Sequence, residues 1–221
     1  MVDRTYGVSQ TGTRSVESHK VLRNTYMLLA MTLLFSAVTA GIAMSMGIQR
    51  MNIFVFFIGA YGLMFLVHKT ANSAAGLLAT FAFTGFMGFT LGPILSAYLT
   101  LANGPQLIMT ALGMTAVTFA GLSAVALITR KDFSFLSNFI MAGAIVLILA
   151  MVVAMIFNIS GLALAVSAGF VLFASAVILF ETSQIIHGGQ TNYILATISL
   201  YVAIYNMFIS LLSILGLSSS D

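Results

Sequence analysis

Long apolar stretches recur along this 221-residue sequence and restrict how most of it can fold. Each stretch is close to the roughly 20 residues that a helix needs to cross a ~30 Å hydrocarbon core. Short polar breaks separate them. The predicted spans are residues 25–47, 51–67, 74–101, 106–129, 133–157, 162–186 and 193–217.

These stretches predict helices that face lipid. They lack the alternation of apolar and polar residues that is typical of barrel strands. In hydrocarbon, a segment that is not part of a closed β-barrel can pair its backbone N–H and C=O groups only by forming a helix. Charged residues make up 6% of the chain, whereas soluble domains have about 25%. The predicted fold class is therefore an all-α membrane protein, a bundle of seven transmembrane helices.

The basic residues fall mainly on one side of the predicted bundle. Seven of the eight lie there: Arg4, Arg14, Lys20, Arg23, Lys69, Arg130 and Lys131. Such an excess marks the cytoplasmic side, so the N-terminus is predicted inside and the C-terminus in the periplasm. A re-entrant seventh helix is the alternative, and it would return the C-terminus to the cytoplasm. Because the basic residues do not gather on one polar face, no nucleic-acid partner is predicted.

The chain divides into one large membrane domain and two short tails. Residues 1–23 are rich in Gly, Ser, Thr and charged residues and predict a flexible cytoplasmic tail. Residues 24–217 form the transmembrane domain, and residues 218–221 form a short C-terminal tail. The connections between spans are too short to hold an extramembrane domain.

Small residues recur at helical spacing along the third span. Gly85, Gly88 and Gly92 lie on it, the last two as a Gly-x-x-x-Gly pair. Such residues let helix backbones approach closely, where dispersion replaces the missing hydrophobic drive. We interpret them as a packing surface. Pro93 removes one backbone donor and predicts a kink in the same span.

A few polar side chains fall inside the spans. Tyr201 and Tyr205 are four residues apart, so they share one face of the seventh helix. Asn206 follows them, and Asn138 lies in the fifth span. We expect these groups to form hydrogen bonds between helices, in preference to lining a path for a substrate.

Glu181 is the only acidic residue inside an apolar stretch, near the inner end of the sixth span. An ionisable group there is a functional-site hypothesis by default. Gln184 and His187 follow at three-residue steps, which predicts a polar stripe from Glu181 to the cytoplasmic surface. The alternative is a carboxylate that reaches the interface and only marks the end of the helix. The sequence leaves both open.

The lysines and histidines argue against a retinal receptor and against an enzyme. A retinal Schiff base needs a lysine in the last span, which has none. His19, His68 and His187 lie at or beyond span ends, away from a buried serine that they could activate. They share one membrane side, which leaves a zinc site as the weakest alternative. Without any cysteine, we predict no catalytic residue, no resident metal and no cofactor.

Short motifs spread from about Ser18 to the C-terminus form a family pattern. They are His19–Tyr26, Tyr61–Phe65, Gly76–Ala79, Gly88, Leu91–Leu95, Ala111–Phe119, Phe180–Ser183, Ile186–Gly189 and Ser210–Gly216. This set resembles the Bax-inhibitor-type family. The resemblance implies a seven-helix bundle of that type in a bacterial inner membrane.

The bacterial members that these motifs resemble imply one function. They modulate FtsH, a membrane-anchored ATP-dependent protease, by binding it with its HflK and HflC partners and restraining its attack on membrane substrates. The resemblance therefore implies a non-enzymatic inhibitor in membrane-protein quality control. It also places residues 1–20 on the side where the ATPase of that protease works.

A pH-sensitive calcium leak is the alternative that the resemblance implies. Relatives proposed to conduct carry paired aspartates on the sixth and seventh spans. Glu181 matches the first position, but Ala203 stands at the second, so a pair of like-charged carboxylates cannot form. Glu181 is then expected to bond to Asn206 or to a basic neighbour, with calcium as the transported ion. The candidate ion- and pH-sensing residues are Glu181, Asn206, Tyr201, Tyr205 and His187.

Overall fold

The computed structural model of the chain describes residues 6–48, 51–157 and 159–218. These residues form seven α-helices, each with a segment long and apolar enough to cross a membrane. In chain order they are α1 (Tyr6–Ser45), α2 (Ile53–Thr70), α3 (Ala74–Leu99), α4 (Gly104–Thr129), α5 (Leu136–Phe157), α6 (Ser160–His187) and α7 (Tyr193–Ser218). The predicted all-α, seven-span fold is confirmed.

Local capping chemistry sets several helix ends. Asn52 precedes α2, and its side chain accepts a hydrogen bond from the Phe54 N–H at 2.9 Å, as an N-cap residue does. α4 starts at Gly104, two residues before the predicted start, with Pro105 in its first turn. A proline is tolerated there because the first N–H groups of a helix have no partner within it.

The first helix extends beyond the predicted span towards the N-terminus. The composition predicts a flexible tail over residues 1–23, whereas the helix α1 begins at Tyr6. Once a span has nucleated the helix, each further residue adds a hydrogen bond at little cost. No proline interrupts residues 6–23. Residues 1–5 of the predicted tail and 219–221 of the C-terminal one lie outside the described residues.

α7 lies at the centre of the bundle and contacts α1, α2, α3, α4 and α6. Its side chains Leu200, Met207 and Leu212 are fully buried. α5 lies at the periphery: among the described helices it contacts α6 alone, and it presents Ile145 and Leu149 to the outside. The helix with the most buried surface is thus the last in the chain.

α3 packs closely against α1 through its glycines. A Cβ on Gly88 would collide with the carbonyl oxygen of Ser36 and with the side chain of Thr39. A Cβ on Gly92 would lie 2.5 Å from the Cβ of Ala43, and one on Gly85 would meet a ring carbon of Phe35 at 2.6 Å. The three glycines thus lie where α3 approaches α1 closely. Pro93 is buried within α3, which continues to Leu99.

Candidate functional site

Glu181 lies in the last two turns of α6 and is only 6% exposed. Its carboxylate accepts a hydrogen bond from Nε2 of Gln190 at 3.3 Å. After α6 ends, Gly188 adopts a φ of 76°, the left-handed conformation that favours glycine at the end of a helix. This turn folds the chain back, and the Gln190 N–H bonds to the Gln184 carbonyl at 3.1 Å. The capping turn therefore brings the Gln190 side chain to Glu181.

The observed partner of Glu181 differs from the expected one. We expected Asn206 or a basic residue, whereas the hydrogen bond comes from Gln190. Asn206 lies half-buried on α7. The expected polar stripe from Glu181 to the surface is also not continuous. Gln184 and His187 form hydrogen bonds with the α4–α5 connection, whereas Glu181 bonds to Gln190. Glu181 bonds to Gln190 because the turn at Gly188 folds the chain back and brings the Gln190 side chain close to it.

Three side chains of α6 hold the connection between α4 and α5. We call Ser183, Gln184 and His187 the α6 clasp. Ser183 is buried; its hydroxyl donates to the Lys131 carbonyl at 3.2 Å and accepts from the Phe133 N–H at 3.0 Å. One side chain thus pairs two backbone groups of an irregular segment, which would otherwise lack partners inside the protein.

The His187 ring faces a carbonyl oxygen on each side. Its Nδ1 lies 2.9 Å from the Ser183 carbonyl oxygen, and its Nε2 lies 3.1 Å from that of Arg130. A neutral imidazole carries a single N–H, so only the imidazolium can donate to both oxygens. The third clasp residue, Gln184, donates from Nε2 to the Ser134 hydroxyl at 3.2 Å. The clasp thus reaches the α4–α5 connection at the Arg130 carbonyl and at the Ser134 hydroxyl.

Asp132 shapes the segment that the clasp holds. Its Oδ1 accepts hydrogen bonds from the hydroxyl and from the N–H of Ser134, the latter at 2.8 Å. These bonds, the side-chain one first, hold the pKa of Asp132 below its ordinary value. The ionised carboxylate closes a tight turn and orients the Ser134 hydroxyl, which accepts the bond from Gln184.

Asn192 ties the start of α7 to the α2–α3 connection. Its Oδ1 accepts from the N–H groups of Ile194 and Leu195 at 2.9 and 3.2 Å. Its Nδ2 donates to the Ala71 carbonyl at 3.1 Å and to Oδ1 of Asn72 at 2.8 Å. The three connections on this side of the bundle, after α2, α4 and α6, are thus held by side chains around the end of α6.

Two tyrosines of α7 bond to other helices in the interior. The Tyr201 hydroxyl donates to the Thr84 carbonyl of α3 at 3.2 Å and lies 2.6 Å from the Ser36 hydroxyl of α1. The Tyr205 hydroxyl lies 2.9 Å from that of Thr90. Because Thr90 donates its own proton to the Met87 carbonyl, Tyr205 is the donor of this pair. The expected inter-helix hydrogen bonds of the tyrosines are confirmed; Asn138, by contrast, is exposed on α5.

Sequence reasoning missed Ser183, Gln190 and Asn192. Asn192 carried a usable signal, since an asparagine just before an apolar run is a common N-cap. Gly188 and Gly189 signalled a turn, but not which side chain that turn delivers. Ser183 carried none, because a serine inside a helix usually bonds to its own backbone. Within the described residues, no three His, Asp or Glu side chains gather as a metal site.

Comparison with protein families places this bundle. Residues 18–220, nearly the whole chain, match the family described as "Inhibitor of apoptosis-promoting Bax1". The chain belongs to this Bax1-inhibitor family. The α6 clasp, Glu181 and the two tyrosines all lie within the matched residues.

Bacterial relatives in this comparison match the chain from end to end. The uncharacterized protein PA2604 of Pseudomonas aeruginosa is 57% identical over 100% of both chains. The protein named "Modulator of FtsH protease YccA" of Escherichia coli K12 is 51% identical, again over 100% of both chains. A relative in Escherichia coli O6:H1 with the same identity and coverage is named "Inner membrane protein YccA". This member of the Bax1-inhibitor family is thus a full-length homologue of YccA.

Proposed function

We propose that the chain is a non-enzymatic modulator of the FtsH protease in the bacterial inner membrane, where it restrains the degradation of membrane proteins. The observation that carries this proposal is the 51% identity, over the whole of both chains, to a protein named as a modulator of FtsH. The proposed partners are FtsH and its associated HflK and HflC.

The close packing of the bundle supports a protein that resists being unfolded by a protease. α1 and α3 approach closely enough that a single Cβ at Gly88 would collide with the Ser36 carbonyl. Tyr201 then joins both helices to α7 by buried hydrogen bonds. A pull on α1 must therefore break contacts that are distributed over three helices.

The N-terminal part of α1 supports a route of engagement. The apolar stretch of this helix begins at residue 25, whereas the helix itself begins at Tyr6. Residues 6–16, roughly 16 Å of helix at 1.5 Å per residue, thus lie wholly before the apolar stretch. We propose that this arm lies in the cytoplasm and is the segment that the protease grips.

Co-purification tests the partner proposal. Tagged protein, extracted from native membranes in mild detergent, should retain FtsH, HflK and HflC, while an unrelated seven-helix protein expressed to the same level should not. Failure to recover FtsH at several detergent strengths would overturn the proposal.

Replacement of the arm tests the engagement route. A chain in which residues 1–16 are exchanged for a Gly/Ser segment of equal length should be degraded by purified FtsH at least several-fold more slowly. Its thermal unfolding should match the wild type, because Glu17 and the span are kept. Equal degradation rates would show that the protease grips another segment.

A cation leak is the second candidate, favoured by the burial of Glu181. A 6% exposed carboxylate in a span, with a single side-chain amide at 3.3 Å, is an uncommon arrangement for a merely structural residue. Since Ala203 removes the paired carboxylate, Glu181 would act as the titrating group by itself. Glu181→Gln should alter calcium flux into liposomes at two pH values, with Gln190→Ala as the control that removes its donor. Equal flux from wild type and Glu181→Gln would dismiss this function.

A further inference from the structure

A groove between α1 and α4 gathers basic side chains at the start of the membrane span. Its volume is about 750 Å³. The lining side chains are His19, Lys20, Leu22, Arg23, Tyr26 and Leu127. We call this cavity the basic groove. Lys20 and Arg23 are both exposed, and they lie just before the apolar stretch that starts at residue 25, the level at which lipid headgroups meet a bundle.

The charge of the basic groove is not balanced from within. Its lining holds two cationic side chains and no acidic one. Glu17 stands one turn before Lys20 but outside the lining. The two other acidic residues that the structure describes are engaged elsewhere, Asp132 with Ser134 and Glu181 with Gln190. An anion is therefore the complementary occupant.

The same two helices border a second cavity further along their length. This upper cleft has a volume of about 460 Å³ and is almost wholly apolar. Its lining residues include Ala37 and Gly41 of α1 and Leu112 and Ala116 of α4, and all four are exposed. The upper cleft is thus open towards lipid along the seam between α1 and α4.

An aromatic pair joins the two cavities. Tyr26 lines the basic groove and Phe119 lines the upper cleft. Their ring centroids are 5.9 Å apart, so this contact lies between the two cavities. Along α1, the rise from Arg23 to Ala37 is roughly 21 Å at 1.5 Å per residue. That is about the thickness of one leaflet, since a bilayer with its headgroups measures ~40–45 Å.

We infer that the basic groove and the upper cleft together bind one anionic phospholipid. Lys20 and Arg23 hold its phosphate, and an acyl chain follows the seam past Tyr26 and Phe119 into the upper cleft. Basic pockets between helices at the headgroup level are typical sites for anionic lipids. An acidic protein segment would satisfy the groove but leave the apolar cleft open, so the two cavities together favour a lipid. The inference is independent of the proposed partner.

The absence of tryptophan from the chain permits a local test. In vesicles, the single tryptophan of Leu127→Trp would report from the basic groove, and that of Ile128→Trp from a side chain that is 81% exposed. Brominated phosphatidylglycerol should quench Leu127→Trp more strongly than brominated phosphatidylcholine at the same mole fraction. The two lipids should quench Ile128→Trp alike. Equal quenching of Leu127→Trp by both lipids would overturn the inference.

Variants that remove basic residues test whether the preference for anionic lipid arises in the basic groove. On the Leu127→Trp background, Lys20→Ala with Arg23→Ala should reduce the relative affinity for phosphatidylglycerol roughly 25-fold, since each basic residue near an anionic surface is worth about fivefold. Lys69→Ala with Lys131→Ala removes the same charge outside the groove lining and should leave the preference unchanged. Equal losses in the two double variants would show a general surface effect and refute a site.

Native mass spectrometry provides a readout that needs no tryptophan. The wild type and the Lys69/Lys131 variant should retain one anionic phospholipid through delipidating detergent, and the Lys20/Arg23 variant should lose it. If the Lys20/Arg23 variant keeps its lipid but recovers less FtsH from membranes, the groove docks a protein and the lipid inference is wrong.

Discussion

Tyr201 carries more of the bundle's interior bonding than any neighbouring side chain on α7. It is 1% exposed, and its hydroxyl bonds to groups on two other helices, Ser36 and the Thr84 carbonyl. Because Tyr201 donates to that carbonyl, Ser36 donates to Tyr201. Removal of the hydroxyl would leave the Ser36 proton without its acceptor in the interior, where a polar group without a partner is costly.

Tyr201→Phe should therefore destabilise the bundle by about 1 kcal/mol, within the range measured for hydrogen bonds between membrane helices. Unfolding of the purified protein in detergent, followed by circular dichroism, measures the change. Tyr61→Phe is the matched control, because Tyr61 is 63% exposed on α2. If both variants unfold with the wild type, the Tyr201 bonds contribute nothing to stability.

The sequence shows which interior residues are polar but not which atoms they meet. The four-residue spacing of Tyr201 and Tyr205 correctly predicted a shared face and inter-helix bonds. The predicted partner of Glu181 was wrong because the actual partner depends on a backbone turn. Gly188, at φ 76°, folds the chain so that Gln190 reaches Glu181. Asn138 looked equally buried in its apolar segment, yet it lies on an exposed face. Span hydropathy does not distinguish a lipid-facing position from an interior one.

At the scale of elements, the α1–α3 contact gives a sharp packing prediction. Gly88→Ala would place a Cβ against the Ser36 carbonyl, which is backbone and cannot move aside. We expect a loss of about 1–3 kcal/mol, as for overpacked cores, and a weakened Ser36–Tyr201 bond. Gly113→Ala on α4 is the control, since a Cβ there meets nothing within 4 Å. Thermal unfolding in the same detergent compares the two, and equal stability would show that α1 and α3 are not in firm contact.

The α6 clasp gives a second prediction at this scale. Ser183→Ala removes the partner of the Lys131 carbonyl and of the Phe133 N–H, so the α4–α5 connection should open more often. Amide hydrogen exchange of residues 131–134 should become several-fold faster, whereas Ser175→Ala should not change it, because Ser175 bonds only within α6, to the Val171 carbonyl. Unchanged exchange in Ser183→Ala would mean that the connection holds itself in place.

Hydropathy correctly predicted that each of the seven helices in the described residues exists, but it did not predict where the helices begin and end. Each predicted span overlaps one helix, because length and apolar content are what a bilayer requires. α5 starts at Leu136 and not at residue 133, since Phe133 and Ser134 are held in the turn made by Asp132 and Ser183. α1 runs past its span to Tyr6 because helix propagation does not stop at the membrane surface.

At the scale of the whole molecule, the sequence did not predict how the helices are arranged relative to one another. α5 and α7 are both apolar enough to cross a membrane, yet α7 is central and α5 peripheral. In lipid, apolar faces carry no preference for the interior, so the order of packing is set by close approach and by polar contacts. α7 has such contacts, through Asn192, Thr197, Tyr201 and Tyr205. The small and polar residues of a span therefore say more about its place than its hydropathy does.

The orientation of the bundle gives the last prediction. The positive-inside rule places the connection with Thr191 in the cytoplasm and the one with Ala102 in the periplasm. Because the chain has no cysteine, single substitutions report each side. In spheroplasts, an impermeant maleimide should label Ala102→Cys at once and Thr191→Cys only after the membrane is opened. Both should label equally in detergent, which controls for burial. A cysteine added after Asp221 should be labelled in intact spheroplasts, like Ala102→Cys. If it is labelled only after the membrane is opened, like Thr191→Cys, α7 is re-entrant. If Thr191→Cys is labelled at once and Ala102→Cys only after opening, the arm of α1 lies outside the reach of a cytoplasmic protease.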